Sequence, residues 1–184
     1  MTLSVALDPF VLPTWAKVSE KRRKHIARVT MLLMQWADEI GIGEQERRDW
    51  MHAGLLHDAL RDAGEAELRA LAQDPVREEE LLHGPAVANL LATSGDVSAP
   101  ALLAIRYHTV GSPDWNRTGK ALYMADFLEP GRKFSRQDRY FLSLQVPTNF
   151  DGVYRQVVRM RLEWTVREGN NIFPETVELW NALQ

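Results

Sequence analysis

The chain has 184 residues, of which 45% are hydrophobic and 26% charged, proportions that fit a single water-soluble globular domain. A formal charge of -3 and a pI of about 6.0 exclude the broad basic surface of a nucleic-acid binder, though not a local site for a small phosphorylated ligand. Cysteine is absent, which excludes disulfides and leaves nitrogen and oxygen donors for any metal site.

In chain order, residues 1–18 read as an N-terminal extension. It lacks the basic start and long apolar run of a secretory signal. Its apolar positions Val5, Leu7, Phe10, Val11 and Leu12 are expected to pack on the domain or on a second subunit, so a homodimer is an open expectation. A first helix is expected over 19–40, with Val29, Leu32, Leu33, Trp36 and Ile40 on its apolar face and Gly41 and Gly43 as its stop. A second, over 44–61, carries Trp50, Ala53, Gly54 and His57 on one face. A shorter helix over 65–72 ends before Asp74 and Pro75. Further helices are expected over 85–92, 99–108, 117–128, 154–168 and 175–183. Pro85 suits a first helical position, and Pro130 ends the helix before it. Period-2 alternation is scarce, and no apolar run approaches the ~18 residues of a spanning helix. The expectation is an all-α, compact helical bundle over 19–184, located in the cytoplasm, with neither membrane nor nucleic acid as a partner.

The chemistry is carried by polar residues on apolar faces. His25 lies one turn before Val29, and His57 one turn after Ala53. His108 follows Ala101, Ala104 and Ile105 at helical spacing, and Asp126 follows Leu122 and Tyr123 in the same way. A lone inward histidine is more often a hydrogen-bonded core residue than a ligand. An inward carboxylate is harder to bury without a partner or a cation, and Asp58 beside His57 adds a second. With basic residues such as Arg22 and Arg61 near helix ends, metal cations are expected to balance the charge. Imidazole with carboxylate suits zinc, iron, manganese or nickel rather than calcium.

The ordered series of a histidine, an adjacent His57-Asp58, two further histidines and a final aspartate resembles the HD superfamily of metal-dependent phosphohydrolases. The stretches Ala53-Gly-Leu-Leu-His-Asp58, His83-Gly-Pro85, Ala104-Ile-Arg-Tyr-His-Thr109 with Gly111, and Tyr123-Met-Ala-Asp-Phe-Leu-Glu-Pro-Gly-Arg132 resemble one bacterial branch. That branch cleaves diadenosine tetraphosphate symmetrically to ADP. The C-terminal segment with Pro174 and the Trp180-Asn181 pair is also similar to it. The resemblance implies that His25, His57, Asp58 and Asp126 hold one metal, that His83 and His108 hold a second, and that Asp58 bridges them. It implies iron, with manganese as the alternative, and a hydroxide bridging the two metals as nucleophile.

A polyphosphate substrate needs cations around it, and Arg22, Arg61 and Arg132 are the expected ones. Arg22 and Lys21 precede His25 by three and four residues, and Arg22 offers the bidentate fork. Arg61 stands where the family more often has lysine; it keeps the cation but is bulkier and cannot lose its proton. Thr109 is read either as a phosphate donor or as the satisfier of its helix end. His52 is expected to be structural or exposed; Trp115, in the loop 111–116, is expected to pack in the core or on the surface, with stacking on an adenine as the alternative. Besides a dinucleoside polyphosphate hydrolase, two readings stay open: an HD phosphohydrolase of another nucleotide, and a weakly active nucleotide-sensing protein.

Overall fold

The computed structural model describes residues 11–184. Within them the chain forms nine α-helices and no strand: α1 (Glu20–Ile40), α2 (Glu44–Leu56), α3 (Glu65–Ala72), α4 (His83–Ala92), α5 (Ala99–Tyr107), α6 (Arg117–Leu128), α7 (Arg136–Gln145), α8 (Phe150–Arg167) and α9 (Pro174–Ala182). The expected all-α bundle is thus observed, and no helix among the described residues is long and apolar enough to cross a membrane.

Local signals explain the helix ends. The Ser19 hydroxyl accepts from Arg22 N–H at the start of α1. Gly41 closes that helix at φ 71°, a left-handed conformation glycine adopts without a Cβ clash. Asn116 caps α6 by accepting from Thr118 N–H at 2.9 Å. From Ala121 to Leu128 every residue of α6 is buried, the mark of a central helix rather than an amphipathic one. It packs against α1, α2, α5, α7 and α8.

Two apolar clusters result. The larger gathers Trp36, Trp50, Leu122, Tyr123, Tyr154 and their neighbours. The smaller joins Leu60, Leu68, Leu82, Val87 and Ile105. Helices α2 and α5 contribute to both, through Ala53 and Ala104 to the first and Leu56 and Ile105 to the second. The C-terminal ends of α2 and α5 therefore run along the junction.

Several boundaries differ from expectation. Helix α2 stops at Leu56, not Arg61, and 57–62 form consecutive turns. The N-terminal segment takes over their backbone groups: Lys17 N–H donates to Ala59 O, and Asp62 N–H to Lys17 O. Helix α4 begins at His83, so Pro85 is its third residue, still within the first turn where a missing N–H is harmless. Helix α8 begins at Phe150 instead of Tyr154. Helix α7 was not expected, because its burial is inverted: Arg139 is 1% exposed while Tyr140 and Phe141 face solvent. Of the N-terminal apolar positions, Leu12 is buried and Val11 exposed, while Val5, Leu7 and Phe10 lie outside the described residues. Trp15 and Ala16 pack on the smaller cluster.

Candidate metal centre

Five elements deliver the six expected side chains. His25 comes from α1, His57 and Asp58 from the turn after α2, His83 from the first position of α4, His108 from the cap of α5, and Asp126 from the last turn of α6. All six are buried. They form two donor sets, His25–His57–Asp126 and Asp58–His83–His108, in each of which one atom per residue lies within 4.8 Å of the others. Asp58 faces both sets. Its Oδ1 is 3.2 Å from His83 Nε2 and 3.4 Å from His108 Nε2, while Oδ2 is 3.5 Å from His57 Nε2 and 3.7 Å from His25 Nε2.

Three of the four outer ring nitrogens are tied down, while His83 Nδ1 has no partner among the described residues. His57 Nδ1 donates to Gly54 O and His108 Nδ1 to Ile105 O, both at 2.8 Å. A carbonyl only accepts, so each proton sits on Nδ1 and each Nε2 lone pair points inward. His25 Nδ1 lies 3.1 Å from Glu129 Oε1. The buried Nε2 of His57 has no hydrogen-bond partner among the described residues, and His25 Nε2 meets only Asp126 Oδ1, a fellow member of its donor set, at 3.1 Å. Lone pairs oriented by outer partners and left without a donor are what a cation satisfies. The donor set therefore fits divalent metal of the imidazole–carboxylate type.

Protonation agrees with this. Burial pushes His57 down to about 4 and lowers His83, which keeps both imidazoles neutral. Burial works to lower His25 as well, but hydrogen bonds to Asp126 and Glu129 outweigh it and raise this group to about 9. A divalent cation would displace that proton. Burial works to raise Asp58, yet His57, His108 and His83 hold its carboxyl well below the ordinary range. Asp126 is held low against burial by Arg132, His25 and Arg161.

Those arginines correct one expectation, that the buried carboxylates have few basic partners. Arg22 Nη1 donates to Asp58 Oδ2 at 2.7 Å, and Arg132 donates from Nη2 to Asp126 Oδ1 at 2.5 Å and from Nε to Asp126 O at 2.7 Å. Arg161 from α8, absent from the sequence reading, reaches Asp126 Oδ2 at 3.4 Å and Thr109 O at 3.2 Å over the Tyr123 ring. Guanidiniums thus share the charge balance. No sequence signal marks Arg161, which is 35 residues from Asp126. Arg28, which pairs with Glu129, had one: it lies one turn beyond His25 on the same face.

A cleft of about 750 Å³ opens over the centre, with Arg22, Arg61, Thr109, Arg132 and Arg161 in its lining. Its lining also includes Phe134, Trp164 and Phe173, with Asn170 and Asn171. Trp115 is 5% exposed, packs on Tyr123 and donates to Leu103 O, a core residue as expected. His52 is half-buried and belongs to neither donor set. Gly84 is required by close approach: a Cβ there would stand 2.7 Å from Ile105 O and 2.9 Å from Arg106 O.

A model of the HD domain matches residues 22–141, which contain all six side chains. The chain belongs to the HD-domain family. The enzyme class expected of this HD-domain chain, a hydrolase, stands with that membership. It is similar to proteins named symmetrical bis(5'-nucleosyl)-tetraphosphatase. One from Halalkalibacterium halodurans is 25% identical, with 90% of each chain covered. One from Staphylococcus aureus is 26% identical over 90% of this chain and 88% of that one, and one from Bacillus subtilis 25% identical over 91% of both. Among solved structures, an HD superfamily hydrolase from Clostridium acetobutylicum, described as involved in NAD metabolism, shares the fold at a TM-score of 0.75. It is 24% identical, with 90% of each chain covered.

Proposed function

We propose that this HD-domain chain is a cytoplasmic hydrolase that cleaves diadenosine tetraphosphate symmetrically to two ADP at a pair of divalent cations, iron or manganese. The observation that carries the reading is the position of Asp58, one oxygen toward each donor set, beneath a cleft lined by arginines. The similarity to the three tetraphosphatases supplies the substrate class.

His25, His57, Asp58 and Asp126 would hold one cation, and His83 and His108 the other with Asp58 between. When bound, such a pair lowers the pKa of water and offsets charge on the attacked phosphoryl group. The remaining work falls to the chain. Arg22, Arg61, Arg132 and Arg161 face a polyphosphate whose non-bridging oxygens each carry negative charge, and their forks bind it in pairs of hydrogen bonds. The Thr109 hydroxyl, 3.3 Å from His108 Nε2, donates to a phosphoryl oxygen beside the reacting phosphorus. Trp164, half exposed at the cleft, offers its ring face to an adenine, and Asn170 and Asn171 offer amides to the base edge.

Water attacks one of the two inner phosphorus atoms and the central P–O–P bridge breaks. One ADP gains the water oxygen, the other keeps the bridging oxygen, and the released proton goes to solvent. The leaving ADP departs as a phosphate, a good leaving group near neutral pH without a protein acid.

The test is product analysis on metal-replete protein supplied with diadenosine tetraphosphate. ADP as the sole product is expected. AMP plus ATP would reject symmetrical attack while keeping the hydrolase, and no product from a metal-replete sample would overturn the substrate assignment.

A further inference from the structure

Among the described residues, Glu129 is the one buried carboxylate near the centre that belongs to neither donor set. It is 1% exposed and directly follows α6, three residues after Asp126. A buried carboxylate needs a reason, and this one collects several donors. Arg28 Nε donates to Oε2 at 2.5 Å, Arg28 Nη2 reaches Oε1 at 3.4 Å, Gly131 N–H donates to Oε2 at 2.6 Å, and His25 Nδ1 lies 3.1 Å from Oε1. The backbone around it is braced as well. Arg139, buried in α7, donates to the carbonyls of Glu129, Arg132 and Phe134 at 2.9, 3.1 and 3.2 Å. Gly131 lies so close to the Arg28 guanidinium that a Cβ would fall 2.3 Å from Arg28 Cζ. Arg28 and Arg139 thus both hold the turn, and the turn holds Glu129 against His25.

His25 differs from His57 and His108. Those two are oriented by carbonyls of their own segments, three residues back, and would keep those bonds in any packing that preserves their helix ends. His25 is in mid-face of α1, and its Nδ1 partner comes from 104 residues away. Nothing local sets that ring. A carboxylate on the outer nitrogen fixes both the ring plane and the tautomer, and it makes the inner nitrogen a stronger donor.

We infer that Glu129, backed by Arg28, is a positioning residue that aims His25 Nε2 into the His25–His57–Asp126 set and so selectively strengthens cation binding there. The inference rests on the proposed metal centre but concerns one of its two halves. In Glu129→Gln the shape is kept, but the amide N–H₂ must now face either His25 Nδ1 and Arg28 Nη2 or Arg28 Nε and Gly131 N–H. The His25 contact loses its charge.

The experiment is a manganese(II) titration of chelator-treated full-length protein by calorimetry, with unfolding followed in parallel. The unaltered chain is expected to bind two ions. Glu129→Gln should weaken one of the two steps by about 10- to 100-fold and leave the other in place. Arg28→Gln, which removes the brace but keeps the carboxylate, should weaken the same step less. Two unchanged steps in Glu129→Gln would overturn the inference, and so would equal weakening of both steps with a lowered melting temperature, since that is general destabilisation. If Glu129→Gln does not fold, Arg28→Gln decides alone by the same criterion. An unaltered chain that binds no manganese(II) or iron(II) would instead sink the metal centre itself, a distinct failure.

Discussion

His83 and His108 face each other nitrogen to nitrogen, their Nε2 atoms 3.1 Å apart. With the His108 proton committed to Ile105 O, its inner nitrogen is an acceptor, and the pair converges on Asp58 Oδ1. The approach depends on Gly84, whose missing side chain lets the start of α4 lie against the last carbonyls of α5. Gly84→Ala should therefore cost about 1–3 kcal/mol by overpacking. It should also weaken the cation step of the Asp58–His83–His108 set while sparing the other. Thermal unfolding with a metal titration checks both, and a wild-type result in the two measurements would refute the role given to Gly84.

Asp58 faces both donor sets, so on the proposed mechanism Asp58→Ala should remove both cations and all turnover. Chelation of the unaltered protein should lower its melting temperature, because a cation present at a hundred times its Kd stabilises by about 2.7 kcal/mol per site. In a domain of this size that corresponds to roughly 5–11 °C per site. Metal analysis beside an activity assay decides the first point; a metal-free Asp58→Ala protein with full activity would end the mechanism proposed above.

Two tryptophans should separate binding from packing. Trp164 is half exposed at the cleft, and its loss should raise KM for the nucleotide by about 5- to 150-fold, the worth of a base stacked on an aromatic ring, with the melting temperature unchanged. Trp115 fills the space over Gly119, where a Cβ would fall 2.2 Å from its ring. Trp115→Ala should lose about 3–5 kcal/mol of stability. Steady-state kinetics and denaturant unfolding on both variants test the division; the reverse pattern would reassign the base contact.

Tyr154 is 2% exposed, and its hydroxyl has no partner among the described residues. Burial, then Tyr123 and Asp151, push its phenol above the ordinary value of 10.0. The unfolded chain releases this proton near pH 10, the folded protein only at higher pH. Stability present below about pH 10 is accordingly lost as pH rises toward the folded value. Tyr154→Phe should match or exceed the parent at neutral pH and lose less stability between pH 9 and 11. Melting curves over that range that fall in parallel for the two proteins would contradict it.

Much of this was legible where signals are local. Ser19 and Gly41 mark the ends of α1, and the run Val29, Leu33, Trp36 marks its buried face. The donors stood out because imidazoles and carboxylates on apolar faces are conspicuous. What failed to show was long-range. Helix α7 turns its apolar side chains Tyr140, Phe141 and Leu144 outward and buries Arg139, whose Nη atoms donate to carbonyls of the preceding turn. The end of α2 is not visible in local periodicity because the competitor for its backbone groups is the segment around Lys17.

By itself the sequence determined that the chain is helical, and which nitrogen and oxygen donors face inward, since periodicity over three or four residues places a side chain on a helix face. Tertiary structure alone decided that these donors form two sets with Asp58 between them. It also decided that Glu129 reaches His25 from 104 residues away and that Arg161 reaches Asp126 from 35. The physical reason is range. A helix face is set by neighbours within a turn, whereas an ion pair between distant segments exists only once packing has brought their backbones together and excluded water from the charges.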